Sequence, residues 1–238
     1  MIEKVLWVFG DSFCSHNDNW IKQIQKWGEY KTVNIISLPG SSLPYTLEKL
    51  YENVGKIKQS DSVIVGMTDH SRQYLSKFHL RPHVDEKKVL EYPPQTKDDI
   101  VDSRISSVYD SYLHYFFDDF QALKQLIPTY DFIANHIPKL IKTEKYVSFY
   151  TMYRNPINVS SEPKRSTKYK EFLPIYKNIL PPSDYPGMWE AAEKFTEFNN
   201  LSPESYYRTP NHWIDSKEYE EYFWNIYKSL FDILWQKY

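Results

Sequence analysis

The stretch Lys4–Phe13, with the sequence KVLWVFGDSF, decides how the fold begins. Its apolar run, Val5 to Phe9, is rich in residues that favour β-strands. Gly10 ends the run and permits a sharp turn, which directs the next side chains into a crevice beyond the end of the strand. Apolar residues at helical spacing follow in Asn19–Trp27. We therefore expect Ser12 to lie between the carboxyl end of a first strand and the start of a helix.

Three further apolar stretches predict strands, and a helical pattern separates the first two of them. Thr32–Ser37 is the second predicted strand, Ser62–Val65 the third and Tyr146–Tyr150 the fourth. Leu43–Lys56 carries one apolar helical face. Strands that alternate with helices through short connections imply right-handed crossovers and a parallel sheet. The fold class predicted is therefore α/β.

Three predicted strands end in loops that carry small or polar residues. Ser12 follows the first strand, Gly40 the second, and Gly66 and Thr68 the third. Ligands of parallel sheets bind beyond the carboxyl ends of the strands. A serine here is well placed as a nucleophile, because free backbone N–H groups stabilise negative charge. The alternative is that Asp11 and Ser12 only cap the following helix.

Other segments with apolar periodicity predict helices that complete the chain. Pro128 is expected to interrupt the helical pattern that begins at Val108. Asp215 with Glu218 resembles a capping pair at the start of the final helix. Two Pro-rich stretches, 76–106 and 155–186, interrupt this pattern and are interpreted as insertions in a single domain, 1–238. The helical segments are Val108–Leu126, Phe132–Ile141, Met188–Phe198 and a final helix from Asp215.

Composition limits the possible partners and compartments. The 238 residues are 41% hydrophobic, carry a net charge of −2 and include one cysteine, Cys14. This balance argues against binding to nucleic acid or to an anionic membrane surface. The first apolar run is too short for a signal peptide, and no segment approaches a membrane span, so a cytoplasmic protein is expected unless export uses another route. Cys14 is interpreted as a small buried residue and not as a nucleophile.

The Gly10-Asp11-Ser12 element after the first strand, with Gly40 and Gly66, resembles the SGNH (GDSL-type) hydrolase family. The resemblance implies a three-layer α/β/α sandwich with a parallel central sheet, similar to flavodoxin, and an oxyanion site made by the N–H groups of Ser12 and Gly40. The family adds an Asn side chain as a further donor to the same oxyanion. This chain has Thr68 at that position, and its hydroxyl can donate one hydrogen bond to the oxyanion. Thr68 followed by Arg72 resembles phage-associated members, and a phage-encoded chain would also be compatible with a place in the virion.

The resemblance also implies a histidine base close to the C-terminus, and His212 matches that position. The family has Asp three residues before this histidine, but this chain has Thr209. The imidazole is then oriented by Asp215, Asn211, Glu204 or a backbone carbonyl, or else the site is weak or lost. Arg72 and Asp11 are further candidates for contact with substrate or oxyanion, and a surface salt bridge is the alternative for Arg72. His16 lies too close to Ser12 along the chain to fold back onto it.

These features predict a serine esterase that cleaves small acyl or carbohydrate O-acetyl esters without a cofactor. The alternative is an inactive SGNH-like module that binds a glycan or acyl ligand. A nucleotide-binding protein is disfavoured because the loops lack a glycine-rich phosphate motif. His79 and His83 have metal-ligand spacing, but Pro82 between them argues against the helix that such a pair needs, so no metal is expected. The oligomeric state is left open.

Overall fold

A parallel four-stranded sheet is the framework of the computed structural model, which describes residues 4–14, 19–38, 41–68, 119–151, 185–201 and 216–235. The spatial order of the strands is β2-β1-β3-β4, and every neighbouring pair is parallel. The predicted α/β class is therefore confirmed. The strands are β1 Val5–Gly10, β2 Thr32–Ser37, β3 Ser62–Met67 and β4 Tyr146–Tyr150.

Helices connect and flank these strands. Short 3₁₀ turns follow β1 at Ser12–Cys14 and follow the second helix at Val54–Lys56. No helix in the described ranges combines the length and the apolarity needed to cross a membrane. The helices are α1 Asn19–Trp27, α2 Leu43–Asn53, α3 Asp119–Asp131, α4 Ile137–Leu140, α5 Met188–Phe198 and α6 Lys217–Phe231.

The near-continuous apolar runs of β1 and β3 form strands that are covered on both faces. Side chains alternate between the faces of a sheet, and alternate residues of β1 accordingly enter two separate apolar clusters. Leu6 and Val8 pack with residues of α1, α5 and α6. Trp7 and Phe9 pack with residues of α2, α3 and α4. The strands therefore contribute to two cores, each completed by its own set of helices.

The expected interruption of the helix at Pro128 is wrong. α3 continues through Pro128 to Asp131, and a π-helical turn, Phe132–His136, follows directly. Pro128 is exposed, whereas Ile127 and Tyr130 beside it are buried. Packing of these neighbours holds the segment helical although proline removes one backbone hydrogen bond. The part of the predicted helix before residue 119 lies outside the described residues.

The N-cap of α6 also differs from the prediction. Ser216 caps the helix, and its hydroxyl accepts a hydrogen bond of 3.0 Å from the backbone N–H of Tyr219. Glu218 lies in the first turn, where a carboxylate is favourable because of the helix dipole. Asp215, the predicted cap, lies outside the described residues. Serine and aspartate are both good N-caps, so residue type alone does not decide between Asp215 and Ser216.

Cys14 fills the space between the ends of β1 and β3, which confirms its interpretation as a buried residue. A Cβ atom on Gly10 would lie 2.7 Å from the Cys14 sulfur, and Gly10 has a φ of +153°. A Cβ atom on Gly66 would collide with the same sulfur and lie 2.7 Å from Cγ2 of Thr151. Both glycines are therefore required by close approach at the ends of the central strands.

We expect Gly66→Ala to lower the free energy of unfolding by about 1–3 kcal/mol, because the added methyl overpacks a filled site. Gly55→Ala is the control, since no atom lies within 4 Å of a Cβ placed there. That variant should stay within about 0.5 kcal/mol of the wild type. Urea denaturation measures both, and equal stabilities would contradict this packing.

Candidate functional site

The candidate site begins at the turn that follows β1. The first 3₁₀ turn, Ser12–Cys14, is closed by two hydrogen bonds to Asp11. The backbone N–H of Phe13 donates to the Asp11 carboxylate oxygen Oδ1 at 3.0 Å, and the backbone N–H of Cys14 donates to the Asp11 carbonyl at 3.0 Å. An aspartate that accepts from the backbone two residues later forms a compact turn. Asp11 thus determines the backbone conformation around Ser12.

The second carboxylate oxygen of Asp11 connects β1 to the end of β4. Thr151 follows β4 directly, and its hydroxyl donates to Asp11 Oδ2 at 2.9 Å. The backbone N–H of Thr151 donates to the carbonyl of Met67, at the end of β3, also at 2.9 Å. Asp11 is 0% exposed, and both of its carboxylate oxygens accept hydrogen bonds. These contacts favour a structural role for Asp11 over direct contact with a substrate.

Aromatic residues hold the other side of the same turn. The indole N–H of Trp20 in α1 donates to the carbonyl of Phe13 at 2.9 Å. The Phe13 ring packs edge-on against Trp189 of α5, with ring centroids 6.0 Å apart. The backbone N–H of Trp189 donates to the carbonyl of Thr151 at 3.0 Å. The backbone that carries Ser12 is therefore fixed by contacts to two helices and to the end of β4.

The Ser12 hydroxyl itself takes no part in this network. Ser12 is 6% exposed, and its Oγ has no hydrogen-bond partner among the described residues. A serine that only capped the turn would accept a hydrogen bond from a backbone N–H nearby. Here Asp11 takes that role instead. Within the described residues, Asp11 and not Ser12 thus accepts the hydrogen bond that closes this turn.

Thr68 presents a second hydroxyl of the same kind after β3. Its backbone carbonyl accepts a hydrogen bond of 2.6 Å from the buried Tyr130 hydroxyl, which fixes the main chain. Its side chain is 1% exposed, and Oγ1 has no partner in the described part of the chain. β1 and β3 pair in parallel, with Phe9 opposite Val65, so Ser12 and Thr68 follow neighbouring strands at similar levels. We infer that both belong to one edge of the sheet.

The loop after β2 is tied to the end of β1 through one carbonyl. The Gly10 carbonyl accepts from the backbone N–H of Leu38 and from the Ser41 hydroxyl, both at 3.2 Å. Ser42 comes next and precedes α2. It is 2% exposed, makes no side-chain cap, and its Oγ has no partner among the described residues. Ser42 belongs to no motif in the sequence, although its position between a strand and a helix was a signal.

Several candidate residues fall outside the part of the chain that the structure describes, so their predicted roles are not tested. Within the described ranges, no group of three His, Cys, Asp or Glu side chains is arranged to hold a metal ion. The zinc candidates His79 and His83 also lie outside those ranges. The other undescribed candidates are His16, Gly40, Arg72, Glu204, Thr209, Asn211, His212 and Asp215.

We expect Thr151→Val to lower the free energy of unfolding by about 1.5–3 kcal/mol, because the lost hydroxyl donates to a buried carboxylate at 2.9 Å and also contacts the Met67 carbonyl at 3.3 Å. Thr196→Val is a matched control, since the buried Thr196 hydroxyl donates to the neutral carbonyl of Ala192 within α5. Its loss should be about 1 kcal/mol or less. Urea denaturation measures the free energy of unfolding of both variants. Equal losses would show that the hydrogen bond to the Asp11 carboxylate stabilises the fold no more than a hydrogen bond to a neutral carbonyl does.

Comparison with known proteins adds no identification to this geometry. No protein-family model, curated protein or solved structure matches the chain significantly. The family resemblance noted from the Gly-Asp-Ser element therefore stays a prediction.

Proposed function

We propose that the protein is a serine esterase, an acyl hydrolase of the SGNH type, with Ser12 as its nucleophile. One observation carries the proposal. The Ser12 hydroxyl is buried at the carboxyl edge of a parallel sheet, and its oxygen has no hydrogen-bond partner among the described residues. Hydrogen bonds made by Asp11 and Trp20 hold the backbone around it. Buried polar groups are normally hydrogen-bonded, and a catalytic role is one physical reason for an exception. Because no described residue binds this hydroxyl, we propose that it is the group that reacts.

The proposed fold agrees with this function. The two apolar clusters, with α1, α5 and α6 in one and α2, α3 and α4 in the other, support a three-layer α/β/α sandwich. Such a sandwich around a parallel sheet is what the SGNH resemblance implies. In this proposal residues 1–238 form one domain, and the stretches 76–106 and 155–186 are insertions that select the substrate.

In the proposed mechanism, His212 is the general base. It takes the proton of Ser12 while the Ser12 oxygen attacks the ester carbonyl, and the carbonyl electrons move onto oxygen. The C–O bond to the leaving alcohol then breaks, and His212 returns the proton to that alcohol. Water repeats the sequence on the acyl-enzyme and releases the acid. Asp215, Asn211 or a backbone carbonyl orients the imidazole, since Thr209 replaces the usual aspartate.

The developing oxyanion needs donors that are already in place. We propose the backbone N–H groups of Ser12 and Gly40 together with the Thr68 hydroxyl. Donors fixed before the reaction stabilise the transition state without reorganising, which is why rigidity matters here. The Tyr130 contact to the Thr68 carbonyl and the Asp11 contacts around Ser12 provide that rigidity.

The proposed substrates are small acyl esters or O-acetyl groups of carbohydrates, a range that comes from the resemblance. Arg72 is proposed to contact a carboxylate of the substrate or the oxyanion. The alternative, a module that binds a glycan or acyl group without turnover, follows from Thr68 and Thr209 at positions where the family has Asn and Asp. Hydrolysis of p-nitrophenyl esters separates the two functions.

Ser12→Ala is expected to abolish hydrolysis of p-nitrophenyl acetate while stability is unchanged or higher, because the lost hydroxyl has no partner in the described chain. Ser62→Ala gives the opposite pattern. Ser62 begins β3, at the end opposite to the candidate site, and its hydroxyl accepts a hydrogen bond of 2.7 Å from the Tyr30 hydroxyl. This variant should therefore lose about 1 kcal/mol of stability and keep its activity. Full esterase activity in Ser12→Ala would refute the assignment, and an inactive wild type would favour the binding module.

Thr68→Ala should lower kcat by on the order of a hundredfold with little change in KM, as expected for loss of one oxyanion donor. Thr68→Ser keeps the hydroxyl and should keep most of the activity. Steady-state kinetics on the same ester compares the two variants. If both retain the wild-type kcat, or both lose it equally, the hydroxyl of Thr68 is not the group that matters.

A further inference from the structure

The hydroxyl of Ser42 is the least expected feature of the sheet edge. A serine that precedes a helix normally accepts a hydrogen bond from the second or third N–H of that helix. The second position of α2 is Pro44, which has no N–H, and the structure assigns no side-chain cap to Ser42. A group placed for capping therefore does not cap.

Burial makes this arrangement unfavourable unless the hydroxyl has another purpose. Ser42 is 2% exposed, and its Oγ has no hydrogen-bond partner among the described residues. An unsatisfied buried hydroxyl destabilises a fold, whereas alanine at the same place would carry no such penalty. Ser12 and Thr68 are buried as well, and their hydroxyl oxygens also have no hydrogen-bond partner among the described residues. Three loops that follow three adjacent strands thus each present one hydroxyl with no described partner.

The loop that carries Ser42 is fixed against the strand that carries Ser12. The hydroxyl of Ser41 donates to the Gly10 carbonyl at 3.2 Å, and Gly10 precedes Asp11 and Ser12 directly. Leu38 donates its N–H to the same carbonyl at 3.2 Å. Ser42 is therefore held beside the end of β1 by its neighbour. It also begins an 11-residue helix, whose N-terminus favours negative charge.

We propose that the Ser42 hydroxyl is a further donor to the oxyanion, and this inference rests on the proposed esterase function. Ser12 supplies the attacking oxygen, and the new bond to the carbonyl carbon leaves negative charge on the carbonyl oxygen. Thr68 has one O–H to donate. Ser42 supplies a second hydroxyl donor from the neighbouring loop, at the positive end of α2. When the intermediate collapses, the electron pair on that oxygen re-forms the C=O bond, the C–O bond to the alcohol breaks, and the alcohol takes the proton held by the base. Both hydrogen bonds then weaken, because the oxygen no longer carries the full charge.

The test compares Ser42→Ala with Ser41→Ala in p-nitrophenyl acetate hydrolysis and in urea denaturation. Ser42→Ala should lower kcat about a hundredfold with KM nearly unchanged, as for other oxyanion donors, and its stability should not fall. Ser41→Ala removes the hydrogen bond to Gly10 and should lower stability. Ser42→Gly provides a second variant without the hydroxyl, since glycine is tolerated at an N-cap.

Four outcomes are decisive. A lower kcat in both Ser42 variants with undiminished stability of Ser42→Ala supports the role as donor. If the Ser42 variants have an unchanged kcat, or only a raised KM, the Ser42 hydroxyl is not an oxyanion donor. The assignment of Ser12 as the nucleophile is not affected by that result. A kcat that falls only in step with stability also overturns it and points to a structural role. A wild type without esterase activity overturns both this inference and the proposed function.

Discussion

The buried carboxylate of Asp11 is the interaction on which the edge of the sheet depends. One oxygen accepts from the backbone N–H of Phe13, and the other accepts from the hydroxyl of Thr151. A buried charge is tolerated only where hydrogen bonds replace its hydration, and here those bonds also join the ends of β1 and β4. The turn at Ser12 is consequently held without help from the serine itself. A structural aspartate thereby leaves a neighbouring hydroxyl available for chemistry.

Hydroxyl groups at this edge divide into two sets with opposite behaviour. Ser41 and Thr151 donate to backbone or carboxylate oxygens and fix the loops. Ser12, Ser42 and Thr68 are equally buried but lack partners among the described residues. Each such hydroxyl destabilises the fold by about 1–3 kcal/mol, so a set of them at one edge is compatible with selection for function. In the proposed mechanism, the oxyanion of the tetrahedral intermediate is the acceptor for the hydroxyls of Ser42 and Thr68.

Strand and helix positions were largely predictable, because long apolar runs and helical periodicity report burial directly. β2, β4, α1 and α5 have the bounds expected from the sequence. The partner of Asp11 was not predictable, because Thr151 lies 140 residues away and no local pattern connects them. The role of Ser42 was not predictable for a related reason. A serine before a helix is typical of an N-cap, and only the three-dimensional structure shows that Ser42 does not cap α2. The continuation of α3 through Pro128 was not predictable, because it depends on tertiary packing and not on the helix propensity of the local sequence.

Covalent labelling tests the central claim most directly, since it reads out which oxygen is reactive. The intact protein is treated with a fluorophosphonate, digested, and the site of the adduct is determined by tandem mass spectrometry. A reactive hydroxyl next to a base and an oxyanion site should give one stoichiometric adduct on Ser12. No adduct, or an adduct on another side chain while Ser12 stays unmodified, would contradict the assignment of this serine as a nucleophile.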